Sequence, residues 1–244
     1  MTMTNNNLSR AAEISDVLRE EILRGQYRPG ERLPSERDLA SRFAANRGAV
    51  REALKKLEQL GLAAIHPGGV RVVPIEEATL EVLGHLLMIN DVPDPVLVDQ
   101  MLEVSGSLGA MSIRTAIEKA SDEQLLHMRH IIADILSKTT SENAKKDLRK
   151  QFGDYLLDVN GNLVLRLIGN GLKTQFMGHM EALGDQIELS DAERNSILKK
   201  LDTAIAGRDA EGAARASREH FYLIREKVLE LLSALAADNA SVGS

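Results

Sequence analysis

Apolar residues recur along the first quarter of the chain with helical spacing and then change to an extended pattern. Ile14, Val17, Leu18, Ile22 and Leu23 line one face of a helix predicted over 8–24, with Gly25 as its stop signal. Residues 26–34 read as turn and extended chain around Pro29-Gly30. A short helix then starts at Ser35, whose hydroxyl caps the first turn with Asp38 three places on, and Leu39 and Phe43 give it an apolar edge. Ala44 and Ala45 are small enough for a close turn, and Asn46 is a good N-cap for a second helix. There Val50, Leu54 and Leu57 recur at i, i+4 and i+7 and bury one face, while Arg47, Arg51 and Lys55 form a stripe of cations on another. After Gly61 come Ala63–His66, a Pro67-Gly68-Gly69 turn and Val70–Val73, a small hairpin ending near Pro74. The whole is a helix-turn-helix with a wing, a design that places its second helix in a DNA major groove. Taken as pattern alone, the basic stripe fits a solvated helix face as well as a DNA face.

Further along, the spacing stays helical. A connecting helix is predicted from Glu76 to about Ile89, broken by Asn90–Pro95, which places the functional boundary between 74 and 95. Helices follow over 96–119, 121–138, 142–159, 161–183, 190–206 and 209–236. The breaks between them carry Ser121-Asp122-Glu123, Ser141-Glu142, Asn160-Gly161-Asn162, Gly184-Asp185 and Gly207-Arg208-Asp209. No alternating strand pattern follows residue 75. The expected fold is therefore mainly α: a winged helix-turn-helix over 1–75, a connecting helix and linker over 76–95, an antiparallel all-helical bundle over 96–236, and a disordered tail over 237–244.

Composition changes this picture little. Hydrophobic content of 43% and charged content of 27% are ordinary for a globular chain, and 3% aromatic residues leave Leu, Ile, Ala and Met to build the core. Cysteine is absent, so no disulfide scaffold or thiolate site exists, and a reducing cytoplasm fits. The start is polar and no apolar run reaches the length of a membrane span, so a cytoplasmic protein with no membrane partner is expected. The net charge of −6 argues at first against nucleic acid, but its distribution matters more. Residues 1–76 carry 12 Lys/Arg against 10 Asp/Glu, whereas the remainder carries 18 against 26. The weak positive excess lies on the winged-helix segment, so affinity has to come from focused contacts, doubled by pairing of two chains.

The run from Gly25 to Leu62 resembles the N-terminal winged-helix domain of GntR-family bacterial transcription regulators. The shared features are Arg28-Pro29-Gly30, Leu33-Pro34-Ser35-Glu36-Arg37, Arg47 at the next helix start, Val50-Arg51-Glu52-Ala53-Leu54, and the Leu60-Gly61-Leu62 exit. With a helical second half, the chain resembles the FadR subfamily, through Leu97–Glu103, Ile113-Arg114-Thr115-Ala116, Gly161-Asn162, and Ala204-Ile205 with Asp209 and His220 beyond. The resemblance implies a homodimer that binds a near-palindromic double-stranded DNA operator and a small-molecule effector in the bundle. On it, Arg47 and Arg51 contact base edges, since a guanidinium pairs bidentately with guanine O6 and N7. Arg37 reaches phosphate or a base, Asn46 with the N–H groups of Gly48 and Ala49 holds a phosphate, and the wing tip from His66 through Gly68 to Gly69 enters a minor groove. Arg37 has an alternative as a salt bridge to Glu36 or Asp38.

Many members of this subfamily hold a divalent cation through an Asp-x-x-x-His pair and two further histidines. Those positions align with Arg149, Gly153 and Leu198, leaving only His220, so no metal and no cofactor is expected. His220 also fits a core stripe with Ala213, Ala216 and Ile224, and His127 with His130 share a helix face. The stretch Gly161–Met177 looks more like the acyl-CoA-responsive fatty-acid regulator, yet Ser105 stands where that protein has an arginine, and Tyr222 and Glu226 replace its serine and tryptophan near the ligand. The effector-pocket candidates are Ser105, Arg114, Phe152, Arg166, Lys173, His220 and Tyr222, and the effector is open between an acyl-CoA-like molecule and an organic acid. Two rivals stand beside this reading. One is a ligand-free oligomerisation bundle behind a DNA-binding head; the other is an enzyme domain, which no Gly-rich phosphate loop, serine elbow or HExxH motif supports.

Overall fold

A computed structural model describes residues 2–90, 92–137, 139–184 and 189–242. The chain divides into two compact units, Met1–Asp91 and Val92–Ser244.

In the first unit, α1 (Thr2–Leu23) packs on α3 (Arg47–Gln59), with α2 (Glu36–Arg42) between them in sequence. Ala11, Ile14, Ser15, Leu18 and Ile22 of α1 are buried. Val17 is 40% exposed, so the inward face is narrower than its run of apolar residues suggests. Leu39 of α2 and Ala49, Val50, Ala53, Leu54 and Leu57 of α3 close the same core. Both helix starts are capped as expected: the Ser35 hydroxyl accepts the Asp38 N–H, and Asn46 Oδ1 accepts the Ala49 N–H at 2.8 Å. The turn between them is made by Ala44 in the left-handed region, with the Ala45 N–H donating to the Ala40 carbonyl at 3.0 Å.

The wing is the antiparallel pair β1 (Ala63–His66) and β2 (Gly69–Val72), in register Ala63↔Val72 through His66↔Gly69. Residues 30–33 run beside β2: Gly30 N–H donates to Val72 O at 2.8 Å, Val72 N–H to Glu31 O, and Leu33 N–H to Val70 O at 2.9 Å. The predicted connecting helix over 76–89 is not continuous. A 3-10 turn over Ile75–Glu77 is followed by extended chain at Ala78, and α4 spans only Val82–Leu87. The cause is tertiary: the Thr79 N–H donates to the Leu60 carbonyl at 2.9 Å, and Ala78 lies over Gly61, where a Cβ would come within 2.9 Å of its Cα. That attachment takes the backbone out of helical geometry.

The second unit consists, among the described residues, of α5 (Pro95–Lys119), α6 (Asp122–Leu136), α7 (Glu142–Asn160), α8 (Leu163–Gly184), α9 (Asp191–Ala206) and α10 (Ala210–Val242). No strand follows Val72 among those residues. Asp94, Ser121, Ser141 and Ser190 cap four of these helices, and Ser121/Gln124 and Ser190/Glu193 form full capping boxes. Gly161 in the left-handed region ends α7. Met128, Ile132, Ile117, Ile205, Ala213 and Ala216 lie at the centre of the bundle core. Along α5, Gly106 and Gly109 leave room for the Phe221 ring of α10. An ion pair from Arg225 to Asp99, with Nη2 at 2.7 Å from Oδ2, joins the same two helices and holds the Asp99 carboxyl below its ordinary pKa. The helix α10 runs on through 237–242, where the sequence predicts a disordered tail, because Ala-rich chain without Gly or Pro has no reason to stop there. Asp91, Lys138, the predicted break at Asp185, and Gly243 and Ser244 lie outside the described residues.

Candidate nucleic-acid interface and effector region

Burial of Val50, Leu54 and Leu57 turns the opposite face of α3 to solvent. Arg47, Gly48, Arg51 and Lys55 are exposed there, with Arg47 as the first helical residue after the Asn46 cap. Arg51 is not a free cation. Its Nε and Nη2 donate to Glu36 Oε1 and Oε2 at 3.1 and 2.9 Å, linking α3 to the start of α2. This two-toothed contact lowers the Glu36 pKa and raises that of Arg51. Lys55 pairs with Glu52 at 3.0 Å. Arg37 projects into solvent with its side chain 80% exposed, its Nε 3.7 Å from the Asp38 carboxylate, so the alternative salt bridge is long and Glu36 is engaged elsewhere.

Ala49 has a different place from the expected one. Its side chain is buried and its N–H is committed to Asn46 Oδ1, so among the three predicted phosphate holders only Asn46 and Gly48 face solvent. At the wing, His66, Pro67 and Gly68 are exposed, and Gly69 adopts φ +118. The Arg32 guanidinium fills the space beside Gly69 that a Cβ would need, and Arg71 Nη1 donates to the Gly30 carbonyl at 2.8 Å. Arg32 and Arg71 thus add two exposed cations to the wing that the sequence reading passed over. The period-two alternation Val70-Arg71-Val72 carries the signal for Arg71; that for Arg32 lies in a strand pairing invisible in local pattern.

In the second unit the structure scatters most of the predicted effector residues. Arg114 pairs with Glu118 and Glu211, both at 3.1 Å, and Arg166 pairs with Asp158 at 2.5 Å. Lys173 is exposed, Tyr222 is 56% exposed and Ser105 is half-buried. Phe152 packs against the core that contains Leu198, Ala213 and Ala216, one turn before His220. Burial, then the charges of Arg194 and Arg149, push the His220 pKa down, so the ring is neutral at pH 7. His220 also meets the Phe221 ring edge-on at 5.6 Å. A neutral imidazole beside two guanidinium groups is a poor donor set for a divalent cation, and among the described residues no three His, Cys, Asp or Glu converge as metal ligands. His127 stacks edge-on with Tyr155 at 4.6 Å.

Residues 10–73 match the model of the bacterial regulatory proteins of the gntR family, and residues 100–223 match that of the FCD domain. Two relatives are each 29% identical over 230 residues, 92% of this chain and 94% of theirs. One is the uncharacterized HTH-type transcriptional regulator Mb0601 of Mycobacterium bovis, the other the HTH-type transcriptional regulator Mce2R of Mycobacterium tuberculosis. A solved structure described by the words "Lar controls the expression of the Listeria monocytogenes agr system and mediates virulence" aligns over 91% of this chain and 97% of its own. Its TM-score is 0.51 at 18% identity, a likeness of fold. No helix among the described residues is long and apolar enough to cross a membrane.

Proposed function

We propose, from the premise that this chain belongs to the GntR family of bacterial regulatory proteins and carries an FCD domain in its C-terminal half, that it acts as a cytoplasmic homodimer on a near-palindromic operator and is controlled by a small acidic metabolite. The family membership makes it a transcription regulator with a DNA-binding head and an effector-binding domain, and not an enzyme. The observation that carries the finer reading is the outward face of α3, where Arg47 and Arg51 lie one turn apart beside a capped helix start whose other face is buried. Arg37 in α2 and Arg32, Arg71 and His66 at the wing are exposed as well, and major-groove readout with wing contacts calls for cations at these elements. Pairing of two chains is supported by apolar side chains left open on the second unit. Leu163, Val164 and Leu167 of α8 are 65%, 66% and 60% exposed, and Val104 and Met111 of α5 are 48% and 46% exposed.

Selection of random duplexes by the full chain, followed by mobility-shift titration, supplies the operator and tests the reading. Arg47→Ala loses about 1–3 kcal/mol per half-site for a lost base contact, with random-sequence binding little changed. Unchanged operator affinity in that variant removes α3 as the recognition helix. Leu167→Glu yields a monomer by sedimentation and loses operator binding with it; a dimeric Leu167→Glu protein moves the self-pairing face elsewhere.

A further inference from the structure

The wing carries two cations that no carboxylate answers. Arg32, in the stretch that runs beside β2, stands directly opposite Arg71 of β2. Leu33, Val70 and Val72 beside them are buried, so the strand alternation turns both arginines to the same solvent face. Like charges directly opposite across strands destabilise a sheet, and an acidic neighbour would relieve them. None is supplied. Residues 63–74 contain no Asp or Glu, while Glu31 accepts the Arg28 N–H and Glu58 the Ile65 N–H, each at 2.9 Å. Among the described residues neither arginine forms an ion pair, and Arg71 Nη1 donates to a neutral acceptor, the Gly30 carbonyl, at 2.8 Å. The Arg32 guanidinium rests against Gly69, where a Cβ would come within 2.7 Å of Nη2 and 2.8 Å of Cζ. Nothing lies within 4 Å of the Cβ position of the preceding Gly68, so the turn backbone is bare there, with a guanidinium held beside it.

We infer that Arg32 and Arg71 form a clamp for one backbone phosphate of double-stranded DNA, and that Gly69 is the seat that positions Arg32 in it. The inference rests on the proposed reading of the head for the identity of the polyanion, and on the unanswered pair for its chemistry. A phosphodiester carries the negative charge that the pair lacks, and a guanidinium fork matches two of its oxygens. Arg71 spends one donor on Gly30, which fixes its fork and leaves the remaining donors for the ligand. The contact is to the backbone, so it gives affinity for every sequence, unlike the base contacts proposed for Arg47 and Arg51. Until DNA arrives, the free chain bears the repulsion of two like charges across the strands. Binding and stability are thereby set against each other at one pair of residues, which a merely structural role would not do.

The test is an anisotropy titration of the full chain on a fluorescent random-sequence duplex, over NaCl from about 50 to about 200 mM, with a thermal melt of each variant. Arg32→Gln is expected to bind every duplex several-fold more weakly, with the slope of log affinity against log salt shallower by about 1 per bound chain. It should melt at or above wild type in low salt, where the repulsion is least screened. Should Arg32→Gln not fold, Arg71→Gln carries the same slope comparison. Gly69→Ala, which drives a Cβ into the Arg32 guanidinium, weakens random-duplex binding in the same way, and unchanged binding there removes the seat. Lys150→Gln, exposed on α7, is the control: the same loss of one charge leaves both readouts unchanged. A slope unchanged in Arg32→Gln, a slope equally reduced in Lys150→Gln, weaker binding to the operator alone, or a lowered Tm accompanying the loss overturns the inference. A wild-type chain that binds no duplex overturns the reading of the head as well, whereas wild-type binding with an unchanged slope in Arg32→Gln strikes the clamp alone.

Discussion

Asn46 has two separable duties at the head of α3. Its Oδ1 accepts the Ala49 N–H at 2.8 Å, and its exposed position puts it beside a phosphate in the proposed complex. Asn46→Ala removes the cap and costs about 1 kcal/mol of stability. In a unit the size of Met1–Asp91 that is a fall in Tm of roughly 4–8 °C. Asn46→Asp keeps the acceptor in place and sets a negative charge at the positive end of the helix, a change between neutral and about 1 kcal/mol stabilising. On DNA the same carboxylate faces a phosphate. At a separation of ~4 Å in a largely aqueous dielectric the repulsion is about 1 kcal/mol. Two half-sites double it, giving about a 30-fold loss of affinity. The assay is a thermal melt of each full-length variant paired with a mobility-shift titration at one fixed salt concentration, since salt alone moves such affinities by orders of magnitude. Asn46→Asp should melt at or above wild type yet bind far more weakly; Asn46→Ala should melt lower and, well below its Tm, bind better than Asn46→Asp. Wild-type operator affinity in Asn46→Asp would refute the placement of α3's N-terminus against the DNA backbone, and a lower Tm for Asn46→Asp than for Asn46→Ala would refute the cap.

Glu36→Gln frees Arg51 from its two-toothed hold, so discrimination between operator and random duplex should fall several-fold while random binding tightens with the loss of a negative charge; an unchanged ratio in competition titrations shows that Glu36 does not aim Arg51. Gly109→Ala drives a Cβ to 2.7 Å from Phe221 Cε2 and should cost about 1–3 kcal/mol in urea denaturation. The control Gly153→Ala, with nothing within 4 Å, should gain up to about 1 kcal/mol from helix propensity. Glu193 is held at a pKa of about 2 by the Ser190 hydroxyl and N–H and by Lys227, below its ordinary 4.5, so it contributes stability that is present above pH 4.5 and lost as pH falls towards 2. His220, whose pKa is lowered, takes up its proton more readily when unfolded, so stability should also fall as pH drops below 6.5; His220→Leu should remove that upper step from a plot of Tm against pH.

What was legible in the sequence was whatever a residue decides with its near neighbours. Ser35, Asn46, Ser121, Ser141 and Ser190 cap the helices that their spacing announces, because the acceptor and the N–H it satisfies lie three residues apart. The buried face of α3 follows from the period of Val50, Leu54 and Leu57, and its outer face follows by exclusion. Charge was legible only as position. The partner of Arg51 is fifteen residues back in another helix, and Arg32 reaches the wing tip through a strand pairing. Nothing in local spacing could supply either. The same limit governs the helical domain. Matched against the family's metal ligands, Arg149 reads as a deletion, the loss of one carboxylate from a set of four. In the structure its charge acts together with that of Arg194 on Glu142 and on His220, a grouping of α7, α9 and α10 that no local spacing announces.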